Sequence, residues 1–283
     1  MEVERTGDGR AFLATAGPLL ARHEARNNLI LGVAATAADH PDAYAELRTW
    51  TVLDGGEPVA AALRTPPHNL ALGDPVSATA LSALLAAVLE DEPALPGVLG
   101  NEPYAQEAAA TLAAANGLRV EVTTRMGVFE LTEVVSLSRA SCAARPASAG
   151  DRELLLAWLE AFTIEAIAEP AVHLERLELS LDSRWSPPEG GLWFWDHGGE
   201  PVSLAGFGAP TPTGIRIGPV YTPPEHRRRG YARALVADLS AEMLRRGCRA
   251  CFLYTDLSNP TSNRIYAEIG YRRVGNAIEY RFA

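Results

Sequence analysis

Residues 226–235 read HRRRGYARAL, in which three consecutive arginines precede one glycine and a run of small and apolar residues. The preceding segment GIRIGPVYT is typical of a strand, and an apolar periodicity predicts a long helix after Gly230. The first N–H groups of a helix lack internal partners and carry partial positive charge. This helix start, flanked by arginines, therefore predicts an anion site, with a solvated arginine face as the alternative.

The spacing of this segment resembles a family signature. Arg227-x-x-Gly230-x-Ala232 is similar to the Gln/Arg-x-x-Gly-x-Gly/Ala pattern with which the GNAT superfamily of N-acetyltransferases binds the pyrophosphate of acetyl-CoA. Gly230 would let the backbone approach the anion closely. The segment also lies between a predicted strand and a long predicted helix, which is the arrangement that the family requires.

A second segment carries the same resemblance. NPTSNRIYAEIGY, at 259–271, is similar to the family's Asn-x-x-Ala-x-x-x-Tyr-x-x-x-Gly-Phe motif. Asn259, Tyr266 and Gly270 fall on that pattern, whereas Ser262 and Tyr271 stand where the family has alanine and phenylalanine. Two motifs in the expected order identify residues 139–283 as a member of the superfamily.

The resemblance implies a binding site for acetyl-CoA as cosubstrate, without a metal. Gly218-Pro219 predicts that strand pairing stops there, because proline cannot donate to a ladder, with a kinked edge strand as the alternative. In the family, the pantetheine arm enters between two splayed strands at this place. The cofactor-binding residues that we predict are Val220, Tyr221, Thr222, Arg227, Arg228, Arg229, Gly230, Tyr231, Ala232, Arg233 and Asn259.

Catalysis of amine acetylation needs an acid and a base. The resemblance assigns to Tyr266 the role of general acid, which protonates the departing thiolate, with an aromatic that only packs against its helix neighbours as the alternative. The strand before the loop offers no acidic residue, so the candidate base is Glu165 on the first helix of the C-terminal half. A solvated helix face for Glu165, with water as the base, is the alternative. Glu225 in the loop is interpreted as a solvated turn residue.

The elements that position these residues occur twice. Each half is predicted to contain a hairpin, a strand, a long helix, a strand, a helix ending at glycine, and closing strands. One helix is predicted over 17–35, before the first hairpin, and another over 171–181, before the second hairpin, which turns at 197–199. The long helix of the second half is predicted to end at Gly247.

We expect an α/β (α+β) chain of two GNAT-like domains, each with a mixed, mostly antiparallel sheet and helices on both faces. The predicted domains are 1–137 and 138–283, with the boundary near Ser138 in a small, polar, Pro-containing stretch.

The N-terminal half lacks the site. HNLALGDPVSATA, before its long helix, has no arginine run, and Asp74 is expected to cap that helix and repel a phosphate. The region that should match Tyr266 is nearly all alanine. Residues 1–137 are therefore predicted to be a degenerate domain that supports the active one, with a wall of the substrate cleft as a possible contribution.

Composition limits the other functions. A net charge of -10 argues against nucleic-acid and membrane-surface binding, and no export signal or membrane span is evident, so we expect a cytoplasmic protein. Cys248 and Cys251 form an isolated pair without further zinc ligands, and we interpret them as structural. Four tryptophans could pack in the core or line an acceptor pocket: Trp158, Trp185, Trp193 and Trp195.

The predicted function is acetyl-CoA-dependent acetylation of a primary amine by direct attack on the thioester. The acceptor, a small molecule or a peptide or protein amine, and the oligomeric state do not follow from the sequence. One alternative is acetylation of a cysteinyl amine, as in the mycothiol synthases, which are two-domain members of this length. Another is a non-catalytic acyl-CoA sensor, which would keep the anion site but need neither acid nor base.

Overall fold

The structure is a computed structural model that describes residues 1–135, 143–167 and 190–283 of the chain. The predicted boundary at 137/138, the predicted helix at 171–181 and Trp185 lie outside the described residues. No helix of the described part is long and apolar enough to cross a membrane.

The helices and strands of the described residues follow one another along the chain in this order. The first half contains β1 (Glu2–Thr6), α1 (Gly9–Leu20), α2 (Asn28–Asp39), β2 (Arg48–Asp54), β3 (Glu57–Arg64), β4 (Leu70–Leu72), α3 (Ala78–Asp91), β5 (Gly97–Asn101), α4 (Tyr104–Ala115) and β6 (Val120–Leu131). The second half contains β7 (Ala143–Pro146), α5 (Arg152–Phe162), a π-helical turn (Thr163–Ile167), β8 (Gly191–His197), β9 (Glu200–Gly208), β10 (Gly214–Tyr221), α6 (Tyr231–Arg245), β11 (Ala250–Asp256), α7 (Pro260–Ile269) and β12 (Arg272–Phe282).

Contacts divide the chain into two compact units. Unit 1 comprises Met1–Phe129, Tyr254–Asn263 and Arg273–Ala283, and unit 2 comprises Glu130–Leu253 and Arg264–Arg272. The chain therefore contributes two C-terminal segments to unit 1. The predicted boundary at 137/138 separates two GNAT-like domains along the sequence. It stays a prediction, because the two units are defined by contacts alone.

Unit 1 has a sheet in the order β1-β2-β3-β4-β5-β12-β6. The pairs from β1 to β4 are antiparallel, β4 and β5 are parallel, and β12 pairs antiparallel with β5. Adjacent residues of β3 face opposite sides of the sheet: Ala60 and Ala62 pack with α3 and α4, whereas Ala61 and Leu63 pack with α1 and α2. Helices thus cover both faces, as predicted.

The start of unit 1 differs from the sequence prediction. We expected one helix over residues 17–35, but α1 ends at Leu20 and α2 begins at Asn28. Asp8 accepts hydrogen bonds from the N–H groups of Arg10 and Ala11 and so begins α1 earlier than predicted. The side-chain amide of Asn27 donates to the carbonyl of Leu20 and stabilises the turn between the two helices.

Unit 2 has a sheet in the order β11-β10-β9-β8-β7. The pairs from β7 to β10 are antiparallel, and β10 and β11 are parallel. Leu155 and Leu159 of α5 pack on Phe194 and Leu204 of the sheet, and α6 packs on β8, β9 and β10. The antiparallel strands followed by one parallel pair repeat the arrangement of unit 1, which agrees with the duplication predicted from the order of elements.

Candidate functional site

The strand that leads to the arginine run separates from its parallel neighbour. The described pairing of β10 with β11 ends at Arg216–Phe252, although β10 continues to Tyr221. The register between β10 and β9 also shifts between Ile217 and Val220, at Gly218-Pro219. Pairing with β9 resumes at Val220–Ala205. The interruption is located where the proline predicted it.

Two backbone carbonyls at the end of β10 already accept hydrogen bonds. The hydroxyl of Ser203, which is fully buried on β9, donates to the carbonyl oxygen of Tyr221 at 3.2 Å and lies 2.8 Å from the hydroxyl of Thr222. The guanidinium of Arg227 donates through Nε to the carbonyl oxygen of Thr222 at 2.8 Å. These contacts fix the backbone at the mouth of the splayed strands.

Helix α6 begins without a capping side chain among the described residues. Gly230 is its N-cap residue in a left-handed conformation (φ 83°), no side chain of the described residues accepts a bond from the first turn, and no acidic residue lies in that turn. Side chains cap α1 (Asp8) and α3 (Ser77), whereas α2, α4 and α5, like α6, have no capping side chain among the described residues. The first N–H groups of α6 are therefore available to an anion, and the helix dipole favours negative charge there.

The arginines of the run differ in their contacts. Arg228 and Arg229 are exposed and have no hydrogen-bond or ion-pair partner among the described residues. Arg227 is bound to the end of β10, and its Nη2 donates to Glu165 Oε2 at 2.6 Å. Arg233 forms an ion pair of 2.7 Å with Glu268, which ties the first turn of α6 to α7.

Glu165 lies in the π-helical turn that follows α5, rather than in the regular helix that we expected. π-Helical turns occur often at functional sites. The carboxylate also accepts a hydrogen bond of 3.3 Å from the hydroxyl of Tyr221. Burial and the neighbouring carboxylate raise the pKa of Tyr221, so its phenol keeps the proton that it donates to Glu165.

Tyr266 lies on α7, inside unit 2. Its ring is 9% exposed and packs edge-on against Tyr271, with ring centroids 5.9 Å apart. Burial raises the pKa of Tyr266 to about 12, so the phenol stays protonated at neutral pH. Its hydroxyl has no hydrogen-bond partner among the described residues. Tyr271, where the family has phenylalanine, instead lies 2.8 Å from the hydroxyl of Ser240 on α6.

Asn259 belongs to unit 1 and has a local structural role. Its side-chain oxygen accepts a hydrogen bond from the N–H of Ser262 and so caps the start of α7. The side-chain amide of Asn263 donates to the carbonyl of Asn259 and closes the same turn. The predicted role of Asn259 in cofactor binding stays a prediction.

Two of the candidate tryptophans, Trp158 and Trp195, and the two candidate cysteines lie in unit 2. Trp195 is buried, and Trp158 packs edge-on against Phe194 at 5.4 Å, so both contribute to packing inside unit 2. Cys248 and Cys251 are free thiols, and burial raises the pKa of Cys251 to about 12. A protonated, buried thiol is a poor nucleophile and ligand, which agrees with the structural interpretation of the pair.

In unit 1, α3 is the counterpart of α6, and its first turn is capped by a side chain. Asp74 does not cap α3, as we expected from the sequence, since Ser77 accepts the bond from the N–H of Ala80. Asp74 instead accepts bonds from Arg26 Nε at 2.6 Å and from the amide of Asn101 at 2.9 Å. This network joins the turn before α2 to the ends of β4 and β5. The adjacent cavity of about 10 Å³ is too small for a pantetheine arm.

Comparisons with known proteins agree with this architecture. Residues 154–271 match the family model described as "Acetyltransferase (GNAT) family". No curated protein sequence matches the chain. A GCN5-related N-acetyltransferase from Sphaerobacter thermophilus is similar in structure, with 20% identity, a TM-score of 0.60, and coverage of 99% of this chain and 95% of that chain.

Two further solved structures match over the whole length. An acetyltransferase of the GNAT family from Colwellia psychrerythraea has 12% identity and a TM-score of 0.58, with 100% of both chains covered. A tandem GNAT protein from the clavulanic acid biosynthesis pathway has 14% identity and a TM-score of 0.57, with 100% of this chain and 98% of that chain covered. At these identities the likeness shows the fold, and it extends over both units.

Proposed function

We propose, from the premise that residues 154–271 form an acetyltransferase domain of the GNAT family, that the chain transfers an acetyl group from acetyl-CoA to a primary amine at unit 2. The observation that carries the proposal is the open N-terminus of α6. It follows an interrupted strand, lacks a cap, begins at a left-handed glycine and is flanked by two arginines without a partner among the described residues. This is the arrangement that a pyrophosphate group needs.

The residues of the site divide the binding of acetyl-CoA into two parts. The backbone of Gly230, Tyr231 and Ala232 at the start of α6 would bind the pyrophosphate, with Arg228 and Arg229 adding charge. The interrupted end of β10 would bind the pantetheine arm through backbone groups at Val220. The contacts of Ser203 and Arg227 hold this strand end in place.

The chemistry requires two proton transfers. Glu165 accepts a proton from the acceptor ammonium, and the neutral amine then attacks the thioester carbonyl carbon. A C–N bond forms, the C–S bond breaks, and Tyr266 gives its proton to the departing thiolate. The amide nitrogen loses its second proton, which restores the phenol of Tyr266, and Glu165 releases its proton to solvent. Charges and atoms then balance as acetylated amine, CoA and one proton.

Titration with CoA tests the proposed cofactor site. We expect one CoA per chain, and we expect Gly230→Ala to weaken binding about five- to thirtyfold, because a non-glycine residue in the left-handed conformation costs about 1–2 kcal/mol and the backbone relieves this strain by displacing the N–H groups from the anion. Gly247→Ala is the matched control, because Gly247 is also left-handed (φ 104°) but lies after the end of α6. Equal CoA affinity in both variants would contradict the proposed site.

Release of thiol from acetyl-CoA in the presence of an amine panel tests the reaction. Amine-dependent release supports the transferase. CoA binding without turnover on any amine would instead favour the acyl-CoA sensor. Thiol release with cysteinyl amines added to the same panel tests the alternative acceptor, a cysteinyl amine.

A further inference from the structure

Arg227 is the first residue of the predicted phosphate motif, but its guanidinium contacts neighbouring residues of unit 2. Nε donates to the carbonyl of Thr222 at 2.8 Å, and Nη2 donates to Glu165 at 2.6 Å. The guanidinium carbon also lies 5.9 Å from the ring centroid of Tyr221. Two donor groups and one face of this side chain are therefore already used by neighbours within unit 2.

The carboxylate of Glu165 is held from two directions. Arg227 donates to Oε2, and the hydroxyl of Tyr221 donates to Oε1 at 3.3 Å. Glu165 nevertheless remains 44% exposed, so an acceptor in solution can reach it. A carboxylate on an exposed helix end would otherwise sample many rotamers, because a glutamate side chain has high conformational entropy. The two donors reduce that freedom.

We infer that Arg227 is a positioning residue on the acceptor side of the site, which holds Glu165 for the incoming ammonium, and is not a ligand of the pyrophosphate. The inference rests on the proposed function. The three arginines of the run then have two different roles. Arg228 and Arg229, which have no partner among the described residues, bind the cosubstrate, and Arg227 joins the end of β10 to the π-helical turn.

If Arg227 holds Glu165 and Arg229 binds the cosubstrate, their substitution should affect CoA binding to different extents. In titrations with CoA, Arg227→Met should change the dissociation constant by less than twofold. Arg229→Met should weaken CoA binding about tenfold at low salt, because a charge-assisted contact to a phosphate is lost. Weakening by Arg227→Met that equals the weakening by Arg229→Met would overturn the inference. Thermal unfolding of both variants verifies that they are folded.

Turnover gives the second readout, which a purely structural role would not produce. With the panel amine that wild type acetylates fastest, Arg227→Met should lower kcat/KM for the amine at least tenfold and leave KM for acetyl-CoA unchanged. Arg227→Lys should restore part of the activity, since an ammonium can pair with Glu165 but cannot also reach Thr222 as the planar guanidinium does. Unchanged kcat/KM in Arg227→Met would also overturn the inference.

A double substitution separates positioning from an independent effect. If Arg227 acts through Glu165, Glu165→Gln combined with Arg227→Met should be no slower than Glu165→Gln alone. Multiplied losses would contradict a shared role. Failure of wild type to bind CoA, or to acetylate any amine, would count against the proposed function itself and is distinguishable from these outcomes.

Discussion

At the scale of single residues, Tyr266 and Tyr271 are neighbouring phenols with different surroundings. Both are buried, and burial raises the pKa of each. Only Tyr271 has a hydroxyl contact, with Ser240, whereas the hydroxyl of Tyr266 has none among the described residues. A phenol that stays protonated and forms no structural hydrogen bond can donate its proton to a leaving group. Tyr271 therefore serves packing, and Tyr266 is the candidate acid.

We predict that Tyr266→Phe lowers turnover about 10²–10⁴-fold with little change in stability, because it removes a proton donor but no internal hydrogen bond. Tyr271→Phe is the control. It should retain turnover and lose about 1 kcal/mol of stability with the contact to Ser240. Steady-state kinetics and thermal unfolding measure the two effects. Full turnover in Tyr266→Phe would exclude the general-acid role.

At the scale of elements, a charged cluster joins the start of α5 to the edge of the sheet in unit 2. Arg145 on β7 donates two hydrogen bonds to Asp151 and one to Asp196 on β8. Asp151 also accepts bonds from the N–H and the hydroxyl of Ser148. The guanidinium of Arg145, followed by these Ser148 bonds, holds the pKa of Asp151 well below its usual range.

This cluster predicts how stability depends on pH. A carboxyl with a lowered pKa stabilises the folded state above its ordinary value of about 3.9, and this contribution is lost as the pH falls below that value. Asp151→Asn should therefore cost about 1–3 kcal/mol at pH 7, and the difference from wild type should shrink below about pH 4. Thermal unfolding at several pH values measures it.

Glu153→Gln is the control for the pH dependence. Glu153 is an exposed acidic residue in the first turn of α5, and no hydrogen bond or ion pair joins it to another described residue. Its substitution should cost no more than the roughly 0.3–1 kcal/mol that a charge in the first turn gains from the helix dipole, which is less than the cost of Asp151→Asn. A difference between Asp151→Asn and wild type that stayed constant from pH 7 to pH 3 would show that the carboxylate charge is not the stabilising feature.

At the scale of the whole molecule, the chain does not divide into two independent linear pieces. β12 is the last strand of the chain, yet Ala277–Arg281 pair with Gly97–Asn101 of β5 in unit 1. Ile278 and Tyr280 of this strand belong to the core that α3 and α4 cover. Unit 1 therefore requires residues that follow, in the sequence, the region 154–271 that matches the family model.

Removal of residues 273–283 should consequently unfold unit 1. The truncation removes the buried side chains of Ile278 and Tyr280 and exposes the core residues that they cover, which costs about 1.5–3 kcal/mol for each large apolar side chain, and the ladder to β5 is also lost. Domains are stable by only about 5–15 kcal/mol. Limited proteolysis, with the cleavage sites identified by mass spectrometry, should show rapid cleavage in β2–β5 of the truncated chain.

Arg281→Ala provides the comparison for the truncation. It removes an exposed ion pair with Glu121 but leaves the strand in place, so it should resemble wild type in proteolysis. A truncated chain that resists proteolysis in β2–β5 as well as the Arg281→Ala variant does would mean that β12 is dispensable for unit 1.

Much of this architecture was predictable because it depends on local patterns. The hairpin of β8 and β9, the strand β10 interrupted at Gly218-Pro219, and the end of α6 at Gly247 all lie where alternation, proline and glycine predicted them. The break between α1 and α2 was missed, because it depends on the contact of Asn27 with Leu20 rather than on a breaker residue.

The amino-acid sequence by itself determined most of the order of elements, the glycine start of α6 and the match of residues 154–271 to the acetyltransferase family model, since each depends on neighbours within one strand, turn or helix. Only the tertiary structure decided which residues meet across long separations. Arg227 pairs with Glu165, 62 residues away, Asp74 pairs with Arg26 instead of capping a helix, and β12 completes unit 1. Such pairings follow from the packing of the whole sheet, because a guanidinium binds whichever carboxylate the fold brings within hydrogen-bond distance.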